Sequence, residues 1–231
     1  MKPLVIVPTY NERENIQPLI QDVLRVNPGV HILVVDDNSP DQTAAVVQSQ
    51  PQFSNSVFLL SRPGKQGLGK AYLAGFDWGL GNAYTHFIEM DADFSHRAVD
   101  LKKILERGQT NDVVVGSRYV PGGQVVNWGL MRKIISRGGS FYSRMILGYP
   151  LNDWTGGFNL WSRRALTSMN LSGIRSEGYS FQIEMKYRAL EAGFRAVEEP
   201  ITFEDRRIGH SKMSSRIVFE AFFRVWSIRF R

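Results

Sequence analysis

Five short, nearly all-apolar runs separated by helix-type stretches leave this chain few folds to choose from. They are PLVIVP (3–8), VHILVVDD (30–37), SVFLLS (56–61), THFIEM (85–90) and DVVVGS (112–117). Runs of this length and composition mark strands buried on both faces. Helix signals fill the gaps. One helix is expected from Asn11, a good cap, to about Val26. Ser39-Pro40-Asp41-Gln42 offers an N-cap, a proline at the first helical position and a capping-box partner. Residues 66–80 and 98–107 read as two more helices. Such alternation predicts an α/β fold, with a mostly parallel central sheet and helices on both faces. In these sheets ligands sit beyond the carboxyl ends of the strands. Asp36 and Asp37, Asp91 and Asp93, and Arg118 all fall at such ends, so distant parts of the chain converge on one rim.

HFIEMDADFSH (86–96) places two carboxylates one residue apart where a buried strand surfaces. On an extended segment, alternate side chains point the same way. Two like charges there repel unless a cation or several donors compensate. Mg²⁺ or Mn²⁺ suits the pair, because these ions use one or two carboxylates and fill the rest of their shell with ligand phosphate and water. A solvated turn is the plainer alternative.

Other motifs are weaker. GKQGLGKA (64–71) matches a phosphate loop except at its last position, where Ala71 replaces the required hydroxyl. Position 72 is Tyr, so the dinucleotide fingerprint lacks its third glycine. A helix entered through a glycine turn explains the segment equally well. The four histidines show no metal-ligand spacing and read as structural. Arg118, Arg206 and Lys212 are candidates for diphosphate contact, since arginine grips phosphate oxygens bidentately and lysine acts as a point charge.

After Tyr119 the pattern changes. Residues 118–152 carry five basic side chains and no acid, with apolar residues at helical spacing. Residues 215–231 form a second amphipathic segment rich in aromatics. The net charge of +6 favours anionic partners such as phosphates, nucleic acid or a membrane surface. Carboxylates on the sheet rim would repel a nucleic-acid backbone, which argues against that partner. There is no cysteine, so disulfides and thiolate metal sites are excluded. The N-terminal apolar run is too short for a signal peptide. No run approaches the roughly 18 apolar residues of a membrane span. The expectation is a cytoplasmic protein lying peripherally on the cytoplasmic face of a membrane.

Taken together, VIVPTYNERENI, ILVVDDNSPDQT, MDADFSH, VVGSRYVPGG, DWTGGFNLWSRRAL, GYSFQIEMKYRALEAG and EEPITFEDRRIGHSKM resemble the family-two glycosyltransferases, and within them the polyprenyl-phosphate mannosyltransferases. The match is collinear over nearly the whole chain. It implies a nucleotide-diphosphosugar transferase (GT-A-like) fold, a catalytic domain over residues 1–214 and an amphipathic helix over 215–231. It implies inverting transfer of mannose from GDP-mannose to polyprenyl phosphate, with Mg²⁺ or Mn²⁺ as cofactor. Glucose from UDP-glucose is the alternative donor. By the resemblance, Pro8, Tyr10, Glu12, Val35 and Asp37 contact the nucleotide. Asp91, Ala92 and Asp93 hold metal and diphosphate. Arg118, Arg206 and Lys212 contact the donor, and Asp93, Arg118 and Arg206 are the implied catalytic residues. Ser95 stands where relatives often carry Gln and is a metal-ligand candidate of shorter reach. Asp153 is a candidate for orienting the acceptor or, equally, a capping carboxylate. Some relatives continue into transmembrane helices, so a transmembrane partner protein is a further expectation.

Overall fold

A computed structural model describes residues 1–205 and 222–230 in full and the backbone of 215–221. Its elements are β1 (Pro3–Thr9), α1 (Arg13–Val26), β2 (His31–Asp36), α2 (Thr43–Gln48), β3 (Val57–Ser61), α3 (Leu68–Gly81), β4 (His86–Glu89), α4 (Ala98–Gly108) and β5 (Val113–Ser117). There follow β6 (Gln124–Val125), α5 (Leu130–Leu147), β7 (Asn159–Ser162), α6 (Arg163–Ser168), α7 (Gly178–Glu191), β8 (Ala196–Pro200), β9 (Thr202–Phe203) and α8 (Ser215–Arg229).

The main sheet runs β3-β2-β1-β4-β7-β5-β8. All its pairings are parallel except those of β7, which lies antiparallel between β4 and β5. Along β1, alternate side chains enter opposite layers. Leu4 and Ile6 join Tyr72, Phe76 and Trp161 under α3 and α7. Val5 and Val7 join Ile16, Val34 and Leu101 under α1 and α4. Truncating a wholly buried ring such as Phe76 costs about 3–5 kcal/mol. The glycines of α3 serve close packing: a Cβ on Gly75 would lie 2.6 Å from Ile6, so the helix rests directly on β1.

Two local expectations are corrected. Ser39 does not cap a helix, because the Asp36 carboxylate captures both its amide and its hydroxyl, at 2.9 and 2.6 Å. Asp41 takes over: one carboxylate oxygen accepts from Thr43 at the start of α2, and the other accepts from the Arg13 amide at the start of α1. Asn11 likewise stands outside α1, at φ +62°, with its amide donating to Ser39 Oγ.

The C-terminal helix splits its apolar residues. Val225 and Ile228 are buried, whereas Phe222, Phe223 and Trp226 are exposed, as is Phe230 just beyond the helix. The Tyr142 ring stacks on Phe222 at 4.4 Å and its hydroxyl donates to the Phe222 carbonyl, which ties α8 to α5. Arg229 donates to the Tyr187 hydroxyl at 3.0 Å, which ties it to α7.

Candidate active site

A cleft of about 390 Å³ opens over the carboxyl ends of β1, β2, β4 and β5. At one end stand Pro8, Tyr10, Glu12 and Asp37, with Lys65 lying 4.4 Å over the Tyr10 ring. Asp37 pairs with Arg62 at 3.1 Å. Burial raises its carboxyl above the usual range against the pull of Arg62.

Asp91, Ala92 and Asp93 form the middle of the floor. The Tyr72 hydroxyl donates to Asp91 at 3.2 Å. The Ser95 amide donates to Asp93 at 3.1 Å. Phe94 sits at φ +64°, a costly conformation for an aromatic residue, and the turn it makes folds back on itself. His96 then reaches Asp91, its Nδ1 accepting from the Asp91 amide at 3.1 Å, while its ring stacks on Phe158 at 4.5 Å. Burial lowers the imidazole to about 4, so it is neutral and carries its proton on Nε2. His96 therefore braces the two-aspartate turn and lines the cleft, a role its spacing did not signal.

The far end holds Arg118, Trp128, Arg132, Thr155 and Phe203. The Arg118 guanidinium forks onto Asp153, with Nε to Oδ2 and Nη2 to Oδ1 both at 2.7 Å. Nη2 also donates to Thr155 at 2.8 Å. Burial works against both charges. The pairing wins, holding Asp153 below the usual carboxylate range and Arg118 above its ordinary value. Arg132 stacks 3.9 Å over the Trp128 ring and pairs with Asp205 at 2.7 Å.

Of the residues singled out from sequence, Pro8, Tyr10, Glu12, Asp37, Asp91, Ala92, Asp93 and Arg118 come together in this cleft. Val35 does not reach it, being wholly buried in the core under α3. Ser95 is also fully buried, and its hydroxyl has no hydrogen-bond partner. Asp153 is wholly buried, committed to Arg118 and to the Gly156 amide, and is not among the residues lining the cleft. Arg206 and Lys212 lie outside the described residues. Sequence reasoning missed Arg132, Tyr179 and Gln182. Arg132 sits in the acid-free stretch, but nothing in its spacing set it apart from Lys133 or Arg137. The other two come from α7, where no spacing sets them apart from their neighbours.

The metal question rests on the donor set. Among the described residues there is no group of three or more His, Asp or Glu side chains placed to hold an ion. Two carboxylates on one open rim fit a hard divalent cation that keeps phosphate and water as further ligands.

The glycosyl transferase family 2 model matches residues 4–169. Polyprenol monophosphomannose synthase of Mycolicibacterium smegmatis is 46% identical over 100% of this chain and 88% of its own length. Undecaprenyl-phosphate mannosyltransferase of Micrococcus luteus is also 46% identical, over 96% of this chain and 91% of its own. Among solved structures, glucosyl-3-phosphoglycerate synthase of Mycobacterium tuberculosis, in complex with Mn²⁺, UDP and phosphoglyceric acid, superposes with a TM-score of 0.68 at 16% identity. That match covers 98% of this chain and 76% of the other. The expected GT-A-like α/β fold is thus the one this chain adopts.

Proposed function

Because the chain belongs to glycosyl transferase family 2, we propose that it transfers mannose from GDP-mannose to a polyprenyl phosphate, with inversion, at a membrane surface. The observation that carries this reading is the order of charges along the cleft. Carboxylates occupy the middle, and Arg118 and Arg132 stand at the end that adjoins α5. The nucleotide lies toward Tyr10 and Asp37, with its diphosphate over Asp91 and Asp93. A divalent cation, Mg²⁺ or Mn²⁺, would offset the charge that develops on the leaving diphosphate. Arg132 binds the acceptor phosphate and orients it toward the sugar. Arg118, fixed by Asp153, supports it with a guanidinium that does not have to reorganise. The acceptor phosphate has a second pKa near 6, so it arrives anionic and needs no strong base.

The lipid half of the acceptor calls for a membrane approach. Leu130, Met131, Ile134, Phe141 and Met145 of α5 are 55–74% exposed. Phe223 and Trp226 of α8, with Phe230 just beyond its end, extend the same kind of surface on the neighbouring helix. Basic residues flank it, among them Lys133, Arg137 and Arg144. Large apolar side chains beside cations suit a helix pair resting in the headgroup region of an anionic leaflet, and the cytoplasmic leaflet is of that kind. No helix among the described residues is long and apolar enough to cross a membrane.

The test is direct. Purified protein is given GDP-mannose or UDP-glucose with polyprenyl phosphate, with Mn²⁺, with Mg²⁺ or with EDTA. Mannosyl lipid of inverted configuration, formed only with metal, is expected. Preference for UDP-glucose would replace mannose by glucose, and full turnover in EDTA would remove the metal.

A further inference from the structure

The Gln182 side chain is only 2% exposed, and its Nε2 has no hydrogen-bond partner. Its orientation is not arbitrary. Asn159 Nδ2 lies 3.2 Å from the Gly156 carbonyl and 2.7 Å from Glu89 Oε2. A carbonyl can only accept, so the NH₂ end of Asn159 must face this way. The same Nδ2 lies 2.8 Å from Gln182, whose near atom is therefore its oxygen. The Gln182 NH₂ group is left at the other end. There it lies beside Gly157, where an added Cβ would stand 3.6 Å from Nε2. Both residues line the cleft. A buried donor left unpaired is a standing cost in free energy. Glu89 and Asn159 impose that cost on the free protein, and a ligand acceptor would remove it.

The sheet order says which part of a ligand arrives there. β4, which leads into Asp91 and Asp93, has β1 on one side and β7 on the other. A nucleotide over β1 and β2, with its diphosphate over the end of β4, leaves its sugar above β7 and the start of α7. Gly157 and Gln182 are the wall at that place. We propose that Gln182 donates a hydrogen bond from Nε2 to a hydroxyl oxygen of the donor's sugar, and that Glu89 and Asn159 are positioning residues that hold it in that role. This rests on the donor reading above and names the residue that reads the sugar. A sugar epimer that moved the contacted hydroxyl would leave the amide unpaired, which is how such a site discriminates.

Calorimetric titration separates sugar from nucleotide. GDP-mannose and GDP, and in parallel UDP-glucose and UDP, are titrated with Mn²⁺ into wild type, Gln182→Leu and Gly157→Ala. Leucine keeps the volume of Gln182 without its donor. Alanine at 157 keeps Gln182 and covers its amide, so it decides the matter if the leucine variant does not fold. Both variants should bind the preferred nucleotide sugar roughly tenfold more weakly and the matching nucleotide diphosphate as wild type does. Equal losses on both ligands would mean a distorted cleft, and unchanged binding of both would mean no sugar contact; either overturns the inference while leaving the donor reading intact. Wild type that binds none of the four ligands overturns the donor reading, and this inference with it.

Discussion

Lys186 Nζ donates to the backbone carbonyl of Asp153 at 2.9 Å, directly behind the carboxylate that grips Arg118. The same ammonium also reaches the carbonyls of Trp154 and Gly156, at 3.2 and 2.7 Å. One wholly buried cation from α7 thus pins the turn that positions the far end of the cleft. Burial lowers its pKa to about 8, against the pull of Asp153 and Glu89, so it remains mostly charged at neutral pH.

Asp153→Asn should lower stability by about 3–5 kcal/mol, because it leaves the Arg118 guanidinium buried without its counter-charge. Replacing both partners by apolar residues should cost less. The sign of the pH dependence follows from the depressed carboxyl. The pair contributes fully above the unfolded-state value near 3.8 and loses its contribution as pH falls through the lower folded-state value. Urea unfolding of wild type and variant between pH 2 and 7 checks this. The gap between the two curves should narrow only at the acid end.

Asp93→Asn should keep the fold and lose most transfer. The amide oxygen can still accept from the Ser95 amide, so the turn survives, but its charge is gone. Melting temperature and turnover, measured on the same preparation, decide it. A variant with near-normal turnover sinks the metal role.

Arg132→Met should leave the melting temperature within a few degrees and lower kcat/KM for lipid acceptor roughly tenfold or more, as expected for loss of a charge-assisted contact. GDP-mannose affinity should hold. If the donor affinity falls and the acceptor KM does not, Arg132 belongs to the other substrate.

Serine at Phe141, Met145, Trp226 and Phe230 together should abolish flotation with anionic liposomes. All four are at least 41% exposed, so little core is lost. Transfer to a short, soluble prenyl phosphate should survive better than transfer to a long-chain lipid. Wild type that ignores anionic liposomes at low salt would remove the membrane face.

The sequence exposed most of the main sheet because buried strands leave contiguous apolar runs, and all five runs became strands at nearly the expected residues. It exposed Asp91 and Asp93 because like charges at a strand end are conspicuous. It hid β7, whose four residues, NLWS, begin and end on polar side chains that hydrogen-bond to neighbouring elements. Ser162, for instance, donates to Asp112. It misled at Ser39, where a good cap had a stronger partner three residues upstream. Gln182 was illegible for a different reason. An amide is marked out only by what orients it, and Gln182 is met by Asn159 of β7, itself held by Glu89 of β4.

The antiparallel strand β7 carries one last consequence, for the birth of the protein. β1, β2 and β3 can pair as soon as they leave the ribosome, because each partner follows its neighbour closely. β4 and β5 cannot complete their edges until residues 159–162 have been made and threaded between them. Contacts of such long sequence separation carry a loop-closure penalty and form slowly. The nascent chain therefore pairs the β1–β3 part of its sheet early and the β5–β8 part late, and until β7 arrives β4 shows an edge of unpaired backbone groups that a chaperone has reason to cover.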